Sequence, residues 1–274
     1  MGNFNIKRFG RTARWQLGMS YKSVLSFASG ASFAYIVPYI GWTYPYLKGA
    51  EEVDPARLTH SVEMCTVIFM IIAVICGSFI FADMGTKKGR IAVKMLPATD
   101  LEKFLVRFLA VTLGVAVVGI AAFCVADVVR ILVCLLAGID YVKFCLPDFL
   151  LLLFTSADQP GTSMSSGSEF PWGVNFVAVC WCVWAHSLYV LGGTLLRRYQ
   201  LVAVSVVHLV LFLAFAMLLS FVSANVDAAV NDAGNNASFA AAGVVLLAVA
   251  VANWMLSYRI FRRMQVADNK WINL

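Results

Sequence analysis

Charge is what this chain has little of. Asp, Glu, Lys and Arg together make up 13% of its 274 residues, against roughly 25% in soluble domains. With 61% of its residues hydrophobic, the chain does not read as a water-soluble domain. A G-x-x-x-x-G-K-[ST] phosphate loop is missing, which excludes ATP hydrolysis by that route. H-E-x-x-H is missing too, and His60, His186 and His208 are far apart in sequence. There is no C-x-x-C. The seven cysteines, Cys65, Cys76, Cys124, Cys134, Cys145, Cys180 and Cys182, lie in or beside apolar runs. They read as small hydrophobes rather than a disulfide framework or a metal site, and Cys180-Trp-Cys182 is too isolated to count as ligands. No removable leader is expected, because the first apolar run is too long for a signal core and has no small-x-small site after it. No catalytic, cofactor-binding or metal-binding residue is expected in this chain, and it is not expected to be an enzyme itself.

What is present is a series of apolar runs near the roughly 20 residues that cross a bilayer. Six spans are expected, at about 23–47, 62–81, 105–125, 172–195, 201–222 and 238–258. They form one transmembrane domain over residues 1–274. Small residues in the first span (Ser26, Ala28, Ser29, Gly30, Ala31) allow close helix packing. Pro38 and Pro45 are expected to kink or end it. Tyr35, Tyr39, Trp42, Tyr44 and Tyr46 gather toward its far side as an interfacial aromatic belt. The segment 127–171 is different. Asp127 and Arg130 are three apart and can pair on one helix face. Two short apolar runs follow, near 131–139 and 146–154, with Gly138-Ile-Asp140 as the bend. Each is too short to span, so a re-entrant or interfacial helix pair is expected. The fold class is therefore an all-α polytopic membrane protein with six transmembrane helices plus that pair.

The net charge of +6 does not point to nucleic acid, because the basic residues flank spans. Counted by side, 17 of the 21 Lys and Arg fall in 1–22, 83–107, 197–198 and 259–274. The exceptions are Lys48, Arg57, Arg130 and Lys143. This asymmetry predicts that both termini are cytoplasmic, in an integral cytoplasmic (inner) membrane protein. The acidic loop with Glu51, Glu52 and Asp54 falls on the other side. Glu51-Glu52 followed by Arg57 has four intervening residues where intramembrane CAAX-type proteases have three. It also lies in an outer loop without a helical H-x-x-x-N, so a protease is rejected.

Most chemistry-bearing candidates have an ordinary structural reading. His186 lies mid-span, where ionisable groups are functional candidates. A neutral imidazole bonded to a neighbouring helix is the commoner outcome. Glu63 is assigned to the interface. Gly114-x-x-x-x-Gly119, Gly192-Gly193 and Ala240-Ala-Ala-Gly243 are small-residue packing surfaces.

The stretch Lys94-Met-Leu-Pro-Ala-Thr-Asp-Leu-Glu-Lys-Phe-Leu-Val-Arg-Phe108 interrupts two apolar runs. Pro97 stops what precedes it. Thr99-x-x-Glu102 is a capping box. Asp100 and Glu102 sit in a first turn, where the helix dipole favours anions. Leu101, Phe104, Leu105 and Phe108 make one face apolar, and Lys103 and Arg107 lie elsewhere on the helix. It reads either as a membrane entry helix or as a docking element for a cytosolic partner.

This stretch resembles the L-P-x-S-x-x-E-x-x-x-x-K/R-x-L signature of ABC-2-type permeases, the membrane subunits of ATP-binding-cassette exporters. The chain is similar in particular to a Bacteroidetes group of permease-like proteins. Two more patches carry the likeness: a His-Ser-x-x-x-Leu-Gly-Gly run ending in a basic pair (His186 to Arg198), and N-W-x-L-S-Y-R-x-F-R-R-x-Q (Asn253 to Gln265). The resemblance implies a coupling helix at Pro97, Thr99, Glu102, Lys103 and Arg107, set against a cytosolic ATP-binding-cassette ATPase. It further implies a homo- or heterodimer of permeases in membrane lipid, with ATP bound only by the partner. In this family re-entrant helices commonly lie between spans five and six, whereas here the candidate pair lies between spans three and four. The alternatives are an ion-coupled secondary transporter using His186 and the Asp127/Arg130 pair, or a non-transporting scaffold or sensor with a permease-like fold.

Overall fold

A computed structural model of the chain describes residues 4–47, 55–139, 143–154, 172–196, 199–225 and 232–264. Glu51, Glu52, Asp54, Asp140, the Ser/Gly-rich loop 155–169, the pair Arg197-Arg198, Asp227 and the tail beyond Met264 lie outside them. Among the described residues there is no β-strand, and the helices are α1 (Ile6–Leu47), α2 (Pro55–Cys76), α3 (Lys87–Met95), α4 (Asp100–Leu109), α5 (Val115–Leu136), α6 (Leu146–Phe154), α7 (Trp172–Leu195), α8 (Gln200–Asn225) and α9 (Asp232–Arg263). Short 3₁₀ turns at Gly77–Phe79 and Ala82–Met84 follow α2, and a π turn at Ala110–Gly114 joins α4 to α5. Among the described residues six stretches are long and apolar enough to cross a membrane: Ile6–Leu47, Pro55–Met84, Asp100–Leu136, Phe176–Leu195, Gln200–Met217 and Phe239–Arg263. Helices are the natural solution for such runs, since each pairs all its backbone groups internally where no water can. The chain is an all-α polytopic membrane protein.

Helix bounds depart from the sequence expectation in three places. The basic segment before the first span is part of α1. Its Arg, Lys, Gln and Met are good helix formers, and no proline interrupts it. Pro38 lies inside α1, which ends two residues past Pro45. Ser61 Oγ donates to the Pro38 carbonyl (3.3 Å). The expected helix pair after span three resolves into a continuation and one short helix. The run from Ile131 simply prolongs α5 to Leu136, because the paired Asp127 and Arg130 give no reason to break it. The break comes at Gly138, whose φ of 69° suits glycine. Only α6 is a separate short helix, with Pro147 in its first turn, where a missing N–H costs no intrahelical bond.

The chain forms two compact units. One comprises residues 18–72 and 113–169. Its core holds Tyr35, Tyr39, Trp42, Cys65, Phe123, Cys134, Cys145 and Phe149. Phe123 stacks on Phe149 with ring centres 4.0 Å apart, and Phe69 meets Phe149 edge-on. Tyr35, Tyr39 and Trp42 are 0%, 2% and 1% exposed, so they are not the interfacial belt the sequence suggests. Their spacing of four and three puts all three on one face of α1, turned to the core. Tyr44 is exposed and Tyr46 half-buried.

The other unit comprises residues 1–17, 73–112 and 170–274. There α7 lies along α9, with Trp184, Ala185 and Ala250 buried together. A second cluster joins Phe81, Met84, Val93, Phe104, Val190, Phe261 and Met264. Gly192, Gly193, Gly243 and Gly119 serve close packing, whereas in the first span Ser26, Ser29 and Gly30 are exposed and a Cβ on Gly30 would meet nothing within 4 Å. A Cβ on Gly193 would lie 2.4 Å from the Ser78 carbonyl oxygen, and one on Gly192 would meet Val204. Gly243 faces Phe176 in the same way, and Gly119, in the first unit, faces Phe69.

Candidate functional site: a capped helix pair and a buried charge cluster

The expected capping box is present at the start of α4. Glu102 N donates to Thr99 Oγ1 (3.3 Å), and Thr99 N donates to Glu102 Oε2 (2.9 Å). Its surroundings are less expected. Glu102 is fully buried, and Lys103 and Arg107 are 4% and 2% exposed. Glu102 accepts from Asn5 N (2.9 Å) and from Arg8, through Nε to Oε2 (2.7 Å) and Nη2 to Oε1 (2.8 Å). Arg107 Nη2 donates to Asp83 Oδ2 (2.8 Å), and its guanidinium lies over the Phe81 ring. Lys103 Nζ donates to the Lys94 carbonyl (3.1 Å). Lys94 Nζ in turn reaches the Phe261 carbonyl (3.4 Å) and lies over that ring. The charged side of α4 is thus its anchored side.

The residues singled out in the sequence therefore divide. Pro97 is exposed and Thr99 half-buried, while Glu102, Lys103 and Arg107 are turned inward. What α3, its connection to α4 and the first turn of α4 present outward is Lys87, Lys88, Ile91, Met95, Pro97 and Leu101. Met95 is 79% exposed, a large value for an apolar side chain. α3 is capped by Thr86, whose Oγ1 accepts from Gly89 N (3.1 Å). The sequence gives no sign that Arg8, Asn5 and Asp83 partner this helix. Their partners are distant in sequence, and no local pattern marks them.

The three stretches behind the family resemblance meet in this unit. Phe104 contacts Tyr258 edge-on (5.5 Å) and lies 6.0 Å from Phe261. Asn253 Nδ2 donates to Ser187 Oγ (3.0 Å). His186 Nδ1 lies 3.1 Å from the Ala73 carbonyl, so it carries the proton and donates. That is the helix-bonded imidazole expected as the commoner outcome. His208 packs among Trp181, Trp184 and Tyr189. His60 pairs with Glu63 at 3.2 Å on an exposed surface.

In the other unit Asp127 and Arg130 pair as expected, with both side chains fully buried. Arg130 Nε donates to Asp127 Oδ1 (2.9 Å), and Cys145 N donates to Asp127 Oδ2 (2.9 Å). Arg130 Nη2 also donates to the Lys143 carbonyl. Its guanidinium lies 5.3 Å from the Tyr39 ring centre and 5.6 Å from that of Trp42. The pair thereby ties the segment that starts α6 back onto α5. Burial pushes the Cys145 thiol up to about 11. Among the described residues no group of three or more His, Cys, Asp or Glu is arranged to hold a metal.

Together these arrangements define a helical membrane protein with a pinned, capped helix pair, α3 preceding its third span and α4 opening it. Comparison with protein-family models, curated proteins and solved structures finds no match to the chain.

Proposed function

We propose that the chain is the transmembrane subunit of an ATP-binding-cassette exporter, dimeric and partnered by a separate ATPase. The observation that carries this reading is the convergence of three sequence-distant stretches on one compact unit. Residues 94–108, the segment from His186 and the segment from Asn253 each resemble ABC-2 permeases, and they touch through Phe104, Ser187, Tyr258 and Phe261. The α3–α4 pair is the docking element in this reading. Glu102, Lys103 and Arg107 hold it rigidly, while Lys87, Lys88, Ile91, Met95 and Leu101 supply the surface the ATPase meets. A rigid, doubly capped pair suits transmission of a push better than a mobile loop does. The reading takes the membrane as the cytoplasmic (inner) one and both termini as cytoplasmic, on the Lys and Arg asymmetry.

An ion-coupled carrier working through Asp127 and Arg130 is the weaker reading. Asp127 already accepts from Arg130 and Cys145, which favours a structural role. The deciding experiment is affinity capture of the full chain from its native membrane. The expected result is a Walker-motif ATPase, lost on Lys87→Glu with Lys88→Glu. Proton-driven transport in vesicles without ATP would assign the chain to the carriers instead.

A further inference from the structure

We propose that Arg259, Arg262 and Arg263 form a binding site for the phosphate of an anionic membrane lipid. The three arginines line a partly open cavity of about 350 Å³ at the end of α9, within the roughly 300–1,000 Å³ of small-molecule sites. Their spacing of three and one places all three within little more than one helical turn. Burial fixes which way they face. Ile260, Phe261 and Met264 are 7%, 0% and 4% exposed, and Phe261 stacks on Phe81 at 4.9 Å with planes 9° apart. The helix cannot turn about its axis without losing that contact, so the arginines stay outward.

Like charges at this spacing repel, and the helix C-terminal dipole offsets only part of that. No described acid relieves it. Glu102 is taken by Arg8, Asp83 by Arg107, and Asp100 lies nearest Lys94. Guanidinium forks match phosphate oxygens in pairs. The cavity lies at the end of the apolar stretch Phe239–Arg263, at headgroup depth for a spanning helix. Met255 and Leu256, 56% and 45% exposed one turn earlier, offer an acyl chain an apolar path that a soluble phosphate does not need. Basic residues that only set orientation need not converge on one cavity.

The test uses the full chain purified in a nonionic detergent. It is titrated with short-chain phosphatidylglycerol, with short-chain phosphatidylcholine and with inorganic phosphate. Binding is read by native mass spectrometry and by the thermal unfolding midpoint. Phosphatidylglycerol is expected to bind at least about tenfold more tightly than phosphatidylcholine, and salt at about 0.5 M should weaken it strongly. Each of Arg259→Gln, Arg262→Gln and Arg263→Gln should cost about fivefold, and the triple variant about a hundredfold. Arg11→Gln with Arg14→Gln should leave binding unchanged. Full affinity in the triple variant would overturn the proposal. So would saturation by inorganic phosphate at the lipid's concentration, which would make this a soluble-phosphate site. Should the triple variant not fold, the single variants and the salt series decide, and salt-insensitive binding overturns the proposal.

Discussion

Glu102 and Arg8 close a two-pronged ion pair across 94 positions of sequence, with contacts of 2.7 and 2.8 Å. The carboxylate is fully buried while the guanidinium keeps partial access to solvent. The same carboxylate caps α4 through Thr99 N and accepts from Asn5 N. One side chain therefore fixes both the start of α4 and the start of α1.

Glu102→Gln should loosen this junction and lower the thermal unfolding midpoint by several degrees. Arg8→Lys should fail to match the wild type, because an ammonium cannot reproduce the fork. The two changes should be less than additive when combined, as expected for contacting residues. A wild-type midpoint for Glu102→Gln would mean the pair contributes nothing to stability. In the transport reading, Glu102→Gln loosens the scaffold, while Lys87→Glu with Lys88→Glu removes partner capture and spares the midpoint.

Asp127→Ala should be more damaging. It leaves Arg130 buried without its anion, which costs about 3–5 kcal/mol, and frees Cys145 N as well. Replacing both partners with apolar residues, Asp127→Leu with Arg130→Met, should cost less than the single change. Reversible unfolding in mixed micelles measures both. The reverse order would show that the pair is not the staple between α5 and α6.

Gly193→Ala should disrupt the packing of α7 on the turn at Ser78. The added Cβ would sit 2.4 Å from a backbone oxygen that has no rotamer to escape into. The expected cost is about 1–3 kcal/mol. Gly41→Ala, where a Cβ meets nothing within 4 Å, should be neutral or stabilising by up to about 1 kcal/mol. Equal midpoints for the two variants would contradict the close approach.

Cys145 should resist alkylation at neutral pH. With its thiol pushed up to about 11 by burial, only about one molecule in a thousand carries the thiolate at pH 8. Since deprotonation makes the nucleophile, labelling should rise about tenfold per pH unit up to that value. Asp127→Ala, by opening the segment, should speed it at fixed pH. Peptide-level mass spectrometry reads the rate, and fast labelling of the wild type at pH 7 would rule out the buried setting.

Much of the architecture was legible in the sequence because it depends on local rules. Apolar length dictates spans, so all six were marked, although the first helix begins well before its apolar run and the third continues to Leu136, past the expected end. The capping box at Thr99 and Glu102 and the Asp127–Arg130 pair are contacts at a spacing of three, which a helix fixes by geometry alone. The glycine pairs announced close packing for the same reason. Helix termini were less legible. α1 begins at Ile6 because basic residues are as helix-compatible as apolar ones, and the hydropathy of a segment marks where lipid is rather than where the helix is.

Only the tertiary structure decided which face each helix buries. A charged face ordinarily turns to solvent, yet Glu102, Lys103 and Arg107 point inward because Arg8, Asp83 and the Lys94 carbonyl wait there, at separations no helical spacing predicts. Tyr35, Tyr39 and Trp42 look like an interfacial belt until Arg130 and Phe123 are seen to need them. The arginines at the end of α9 read from sequence only as topology signals, and Phe261, stacked on Phe81, fixes the helix rotation that turns them outward. Local spacing determined which contacts within a helix were available. Contacts between distant residues determined which side of each helix became core and which was left to meet lipid or a partner.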